Sequence, residues 1–443
     1  MKDKIIIKNG FVVDPKSSRQ GYFDIVIIDD KICEVIEKDN KYNCISSYDC
    51  ARVIDATGMT VVPGLIDVHC HLRDPGLEYK EDILSGSMSA AKGGFTSVAC
   101  MPNTKPVADN KTVIEYIKNK AKRIGLVNVY PIGAISKGLE GLELAEIGEL
   151  KEAGAVAISD DGNPVSNSSL MKKALLYSSY FDMPVISHCE DLSLAEEGVM
   201  NEGRMSTILG LKGIPSAAEE IMVARDIILS EYTGVPVHIA HVSTRLSVEL
   251  IRKAKQRGVQ VTAETCPHYF SITDEACDNF NTNAKVNPPL RTQDDIEAII
   301  EGLSDGTIDI IATDHAPHHI DEKNVEFNMA LNGISGFETA VGLCITNLIK
   351  SQRIDMADLI CKMSVNPARL LKLPGKGCLD AGYDADVTII DLNSEYRVDS
   401  SKFYSKGKNT PFNNFLLYGE VKYTIVGGKI IVDGGNVICS LTN

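Results

Sequence analysis

The sequence predicts a (β/α)8 barrel of the TIM type with a small β-sandwich domain formed by the N- and C-terminal segments, and three observations predict it. Between residues 61 and 374, short β-branched runs alternate with helical stretches, the pattern of parallel βα units. His, Asp and Asn recur at the C-terminal ends of those runs, where a barrel places its chemistry. Before residue 61 and after residue 375 the texture changes to short strands and tight turns such as Asn9-Gly10, Asp29-Asp30 and Gly427-Gly428.

A chain of 443 residues exceeds what one compact core serves, so residues 1–60 plus 375–443 are read as the small domain and 61–374 as the barrel. Strand-forming runs in the small domain are Ile5 to Lys8, Phe11 to Val13, Asp24 to Ile28, Lys31 to Ile36, Ala385 to Ile390 and Tyr423 to Val432. The eight barrel runs are Val61 to His69, Phe95 to Cys100, Val127 to Gly133, Ala155 to Ser159, Pro184 to His188, Val235 to His241, Val259 to Glu264, and Ile308 to Thr313. An open doubly wound sheet would also alternate strand and helix. The barrel is preferred because all nine histidines fall between residues 69 and 319, and several of them end a run.

Lys and Arg number 45 against 60 Asp and Glu, a balance of −15 that repels nucleic acid phosphates and anionic membrane surfaces. The apolar run near Met1 is too short for a signal peptide and no stretch of about 18 apolar residues exists, so a cytoplasmic protein is expected. The twelve cysteines are scattered from Cys33 to Cys439 without a C-x-x-C pair, which reads as reduced thiols. Cys70 and Cys189 adjoin candidate ligands but should pack in the shell of the barrel, because neighbours on a strand face opposite ways.

Asp67, His69 and His71 are two apart, so a strand puts them on one face, and two imidazoles so placed grip a metal ion. Asp67 is read as support for the pair. His188, His241 and Asp314 each end their own run and converge on the barrel mouth. Five or six ligands exceed the need of one tetrahedral ion, which indicates two ions about 3.5–4 Å apart sharing a water of lowered pKa. Such a pair needs an anionic bridge, and Ser159-Asp160-Asp161-Gly162 supplies the candidate Asp161, although only one of the two adjacent aspartates can face inward.

His238, three residues before His241, must face away from it on a regular strand and is read as a packed or surface histidine, and His268 as a pocket residue or loop hydrogen-bonder. Arg73 stands at the strand exit, where its fork suits a carboxylate. Asn103 and Asn287 lie in Pro-fixed loops, and the glycine-punctuated stretch from Asp314 to Glu338 has the character of a lid.

These residues resemble the amidohydrolase superfamily and, within it, the type I dihydroorotases. Asp67-Val68-His69-Cys70-His71-Leu72-Arg73-Asp74-Pro75-Gly76 is similar to the first family signature and Thr313-Asp314-His315-Ala316-Pro317-His318 to the second, and the similarity runs over nearly the whole chain. The resemblance implies that His69, His71 and Asp314 bind one zinc and His188 and His241 the other, with Asp161 bridging. It implies Asp314 as general base and acid, and His71, Arg73, Asn103, Asn287, His318, Asn332 and Gly333 around the substrate. The implied reaction is the reversible interconversion of (S)-dihydroorotate and N-carbamoyl-L-aspartate in de novo pyrimidine (UMP) biosynthesis. Hydantoinase and allantoinase relatives carry a carboxylated lysine where this chain has Asp160-Asp161, so the bridge points to type I. A catalytically dead scaffold would have lost ligands that are all present here. The resemblance leaves room for a homodimer and for an aspartate carbamoyltransferase partner.

Overall fold

The computed structural model describes residues 4–38 and 51–438. The sequence readings of Met1–Asp3, Cys44, Cys50 and Cys439 lie outside them. Among the described residues no helix is long and apolar enough to cross a membrane.

The chain opens with an antiparallel meander, β1 (Lys4–Asp14), β2 (Arg19–Ile28) and β3 (Lys31–Glu37), and then adds β4 (Arg52–Asp55) and β5 (Thr60–Pro63), both parallel to β1. The barrel strands follow as β6 (Leu65–Cys70), β7 (Phe95–Cys100), β8 (Asn128–Pro131), β9 (Ile158–Ser159) and β10 (Val185–Ser187). A short parallel pair, β11 (Met200–Asn201) and β12 (Gly213–Ile214), is inserted before β13 (Val237–Ile239), β14 (Val261–Thr265) and β15 (Ile310–Ile311). The C-terminal segment returns to the first sheet as β16 (Val387–Arg397), β17 (Leu416–Val426), β18 (Lys429–Asp433) and β19 (Asn436–Val437).

Two parallel ladders, β6-β7-β8 and β9-β10-β13-β14-β15, account for eight strands. Parallel bridges Gly133↔Ile158 and Cys70↔His315 join their free edges, the latter with the His71 N–H donating to His315 O at 2.8 Å. The ring therefore closes in sequence order, as a (β/α)8 barrel requires. Its interior carries an apolar layer of Val68, Ala99, Ile132, Ala157, Ile186, Ala240 and Ile310, on which Leu371 packs. Further along the same strands the side chains turn polar.

Val61–Pro63 depart from the sequence reading, which counted them with the first barrel strand. They pair instead with β1 and β16 in the nine-stranded sheet of both chain ends. Side chains alternate along this strand, so Val61 enters the small domain's own core while Val62 packs into the barrel core. Ile389 and Ile390 divide in the same way. Gly64 makes the passage between sheets because a Cβ there would stand 2.2 Å from Thr96 Oγ1.

The outer helices follow their local signals. Lys111–Ile124 begins at Asn110, whose side chain accepts from Thr112 N and Val113 N, and ends at left-handed Gly125. Its buried Val113, Ile114, Ile117 and Ala121 recur every three or four residues, one apolar stripe against the barrel. Arg245–Gln256 repeats the pattern with Thr244 as cap and Val248, Ile251 and Ala254 inward.

Candidate metal and substrate site

The polar ends of the strands meet at one mouth of the ring. Ligand atoms of His69, His71 and Asp161 lie within 4.8 Å of one another, and those of Asp161, His188 and His241 form a second such group. Asp161 is common to both. Its Oδ1 stands 3.2 Å from His69 Nε2, 3.5 Å from His241 Nε2 and 3.6 Å from His188 Nδ1, and its Oδ2 is 3.4 Å from His71 Nε2. Asp314 adds a carboxylate 3.1 Å from His71 Nε2 and 3.6 Å from His69 Nε2.

The neighbouring Asp160 faces the other way. It accepts from Ile135 N at 2.8 Å and Ser136 N at 3.0 Å, and from the Ser136 hydroxyl. The adjacent aspartates thus divide into one that ties down a loop and one that stands between two imidazole pairs.

Each pair is aimed by hydrogen bonds behind it. His69 Nδ1 is 2.6 Å from Glu264 Oε1, His71 Nδ1 is 2.9 Å from Asn103 Oδ1, and His188 Nε2 is 3.1 Å from Glu190 Oε2. An acceptor behind one ring nitrogen puts the proton there and turns the other nitrogen's lone pair toward the site. Backbone strain completes the aiming. Arg73, His241 and Asp314 hold φ of 59°, 33° and 45°, values rare for residues with a side chain. At His241 this breaks the strand alternation on which the sequence reading of His238 relied. His238 is buried and its Nε2 meets Glu264 Oε2 at 3.1 Å while Nδ1 meets Thr262 Oγ1 at 2.8 Å. It therefore belongs to neither triad but extends the chain of bonds behind His69.

Glu264 and Glu190 are the residues that sequence reasoning missed. Glu264 ends the seventh strand-forming run and Glu190 lies two residues after His188, so strand parity could have found both. Asp67 enters no triad: it accepts from Thr313 N at 2.9 Å and Thr313 Oγ1 at 2.7 Å, holding the residue before Asp314. His268 also stays outside the triads; it is buried, its Nε2 has no partner among the described residues, and burial lowers it to about 4.

The electrostatics fit a cation site. Asp161, Asp314, Glu190 and Glu264 are all buried around four imidazoles. Burial disfavours a proton on His188, yet Asp161 and Glu190 bring it up to about 10. Burial likewise works against the Asp161 carboxylate, but His69, His188 and His241 hold it well below its ordinary range. His69 Nε2 and Asp161 Oδ1 are buried without a hydrogen-bond partner among the described residues. Unpartnered buried atoms of this kind are costly unless something else coordinates them, and N,N,O donor sets sharing a carboxylate suit a pair of divalent metal ions.

The remaining predicted residues line the rim. Arg73 donates from Nε to Pro317 O at 3.3 Å and has no ion-paired carboxylate among the described residues. Its Nη2 is 3.4 Å from His318 Nε2, which lies 2.8 Å from Asn332 O. Asn103 has its amide Nδ2 3.4 Å from Asp161 O. Asn287 donates to Glu190 Oε2 at 3.0 Å, and its own Oδ1 is buried with no hydrogen-bond partner among the described residues. Gly333 sits at φ 147°, where a Cβ would meet Ala316 O at 2.4 Å. Its N–H donates to Lys285 O, and its carbonyl accepts from Asn409 Nδ2 and Lys323 Nζ, so its backbone serves to shape the 314–338 loop.

Comparison with known proteins agrees with this geometry. Residues 58–247 match the dihydro-orotase-like family model and residues 234–432 the amidohydrolase family model. The L-hydantoinase (dihydropyrimidinase) from Arthrobacter aurescens superposes with a TM-score of 0.88 at 27% identity, covering 99% of this chain and 98% of its own. A dihydroorotase from Ruminiclostridium cellulolyticum is 63% identical over 97% of this chain and 98% of its own. With a dihydroorotase from Acetivibrio thermocellus 67% identical over 97% of this chain and 99% of its own length, the chain belongs to the dihydroorotase family of the metal-dependent amidohydrolases.

Proposed function

We propose that the chain interconverts (S)-dihydroorotate and N-carbamoyl-L-aspartate, with zinc as the metal and two ions per chain. The observation that carries this reading is the shared carboxylate: Asp161 belongs to both triads, while Arg73 stands at their rim with no carboxylate within ion-pair distance among the described residues. His69, His71, Asp161 and Asp314 would hold one ion, and Asp161, His188 and His241 the other. When bound, the pair supplies Lewis acidity, lowering the pKa of water and polarising an amide carbonyl.

The chain's own groups account for the rest. Arg73, His318 and the Asn103 amide hold the substrate carboxylate, and Asn287 Oδ1 accepts from a ring N–H. Asp314 takes a proton from the attacking water at a carboxylate oxygen and returns it to the departing ring nitrogen. Hydrolysis is then balanced, and cyclisation runs through the same groups in reverse. His71 and the neighbouring imidazoles keep Asp314 ionised: burial favours its protonated form, but their hydrogen bond and charge lower it below its ordinary value.

The test is ring opening of dihydroorotate and of hydantoin by purified protein, measured with metal content per chain. Turnover of dihydroorotate with two zinc ions supports the reading. Preference for hydantoin, or full turnover in metal-free protein, would overturn it.

A further inference from the structure

The rim holds a buried cation that the chemistry above does not use. Lys80 is 7% exposed, and its ammonium lies 2.9 Å from Glu322 Oε1 and 3.4 Å from His318 Nδ1. The other ring nitrogen of His318, Nε2, faces the carbonyl of Asn332 at 2.8 Å. A carbonyl only accepts, so Asn332 at 2.8 Å favours a proton on Nε2 over the Arg73 Nη2 donor 3.4 Å from the same nitrogen, and an ammonium only donates, so Nδ1 offers Lys80 its lone pair.

Glu322 Oε2 competes for Nδ1, being 3.4 Å from it, and by itself would draw the proton there. Both Glu322 oxygens are already engaged: Lys80 and the Tyr79 hydroxyl hold Oε1, and His319 N holds Oε2 at 3.2 Å. A second proton on the ring is opposed by burial and by Arg73, Lys80 and Lys323, which together keep His318 well below the ordinary imidazole value. The ring is thereby left with one proton, and its position decides what stands beside Arg73.

We propose that Lys80 is a positioning residue of the carboxylate seat: it fixes His318 as the Nε2–H tautomer, so that a donor and not a lone pair stands next to the Arg73 guanidinium. The inference rests on the reading of Arg73 and His318 as that seat. Reversal of the tautomer would set an Nε2 lone pair against the Asn332 carbonyl and against any carboxylate held by Arg73.

The test uses full-length metal-loaded protein labelled with ring-15N histidine, with His318 assigned by its loss in His318→Asn. Wild type should show a protonated Nε2 and an unprotonated Nδ1. Lys80→Met should move the proton to Nδ1, facing Glu322, and raise KM for dihydroorotate about 10-fold or more while kcat changes little, as expected for a lost charge-assisted donor. Lys80→Arg should restore both. An unchanged His318 pattern in Lys80→Met overturns the proposal, and so does a protonated Nδ1 in wild type, a result that does not depend on Lys80→Met folding. Should the labelling result hold in a protein that does not open dihydroorotate, the functional reading falls and the control of His318 by Lys80 stands.

Discussion

Replacing Glu264 tests whether the bonds behind the imidazoles govern metal binding. Its carboxylate is fully buried and bridges His69 Nδ1 at 2.6 Å and His238 Nε2 at 3.1 Å, and although burial opposes its charge, the two imidazoles lower it to about 2. In Glu264→Gln the amide oxygen can still accept from His69 and the amide nitrogen can donate to His238, provided His238 turns its own proton toward Thr262. The His69 tautomer then survives and only charge is lost. Glu264→Leu leaves His69 Nδ1 and His238 Nε2 without this partner, so the His69 Nε2 lone pair is no longer held toward the site. Loss of such an outer partner costs about 10–100-fold in metal affinity, or roughly 1.4–2.8 kcal/mol. Glu264→Gln should fall near the lower end and Glu264→Leu at or beyond the upper. Competition against a chelator, read as metal per chain, measures both. Wild-type metal retention in Glu264→Leu would refute the reasoning.

The two adjacent aspartates should separate cleanly: Asp161→Ala should lose both ions with the fold retained, whereas Asp160→Ala should keep metal but lose stability to denaturant, at about 1–3 kcal/mol for each stranded donor of Ile135 and Ser136. Asp314→Asn should lower ring opening by about 10²–10⁴-fold while chain and metal content stay near normal; near-normal turnover would remove Asp314 as the proton carrier. Chelator titration should release the ions in two steps, the His188–His241 ion first, because His241 Nδ1 has no partner among the described residues while His69 and His71 are both held. Glu338, half-buried beneath Ser89, Tyr404 and Ser405, is pushed up from 4.5 to about 7 mainly by loss of hydration. The native state then binds more protons than the unfolded chain between those values, so wild-type stability should fall as pH rises through that window, and Glu338→Gln should flatten the slope.

Strand ends made the site legible in the sequence. His69, His71, His188, His241 and Asp314 announce themselves because a histidine or aspartate at the end of a β-branched run has little other reason to be there. What lay hidden depended on contacts that strand parity could only hint at. Glu264 looks like an ordinary acid until the ring closes and puts it behind His69 from another strand, and Glu190 until the chain after His188 brings its carboxylate back onto that ring. His238 was misjudged in direction, since a regular strand would turn it from His241, and the left-handed backbone at His241 cancels that rule. The Val61 boundary failed for a related reason: Val61–Pro63 has the composition of either sheet, and only the close approach of Gly64 to Thr96 marks where the chain changes partners.

Charge is distributed by depth, and this distribution explains how a chain of net charge −15 can hold an anionic substrate. The floor of the mouth carries Asp161, Asp314, Glu190 and Glu264, an excess of buried negative charge that is tolerable only with cations among the four imidazoles. The rim carries Arg73 and Lys80, of which only Lys80 has a carboxylate within ion-pair distance among the described residues. On the proposed reading a substrate carboxylate is drawn to the rim and kept from the floor carboxylates, which leaves its ring amide to reach the triads. Were Arg73 paired within the protein as Lys80 is with Glu322, the rim would be neutral and the seat would lose the charge by which it favours a carboxylated ring over a bare one.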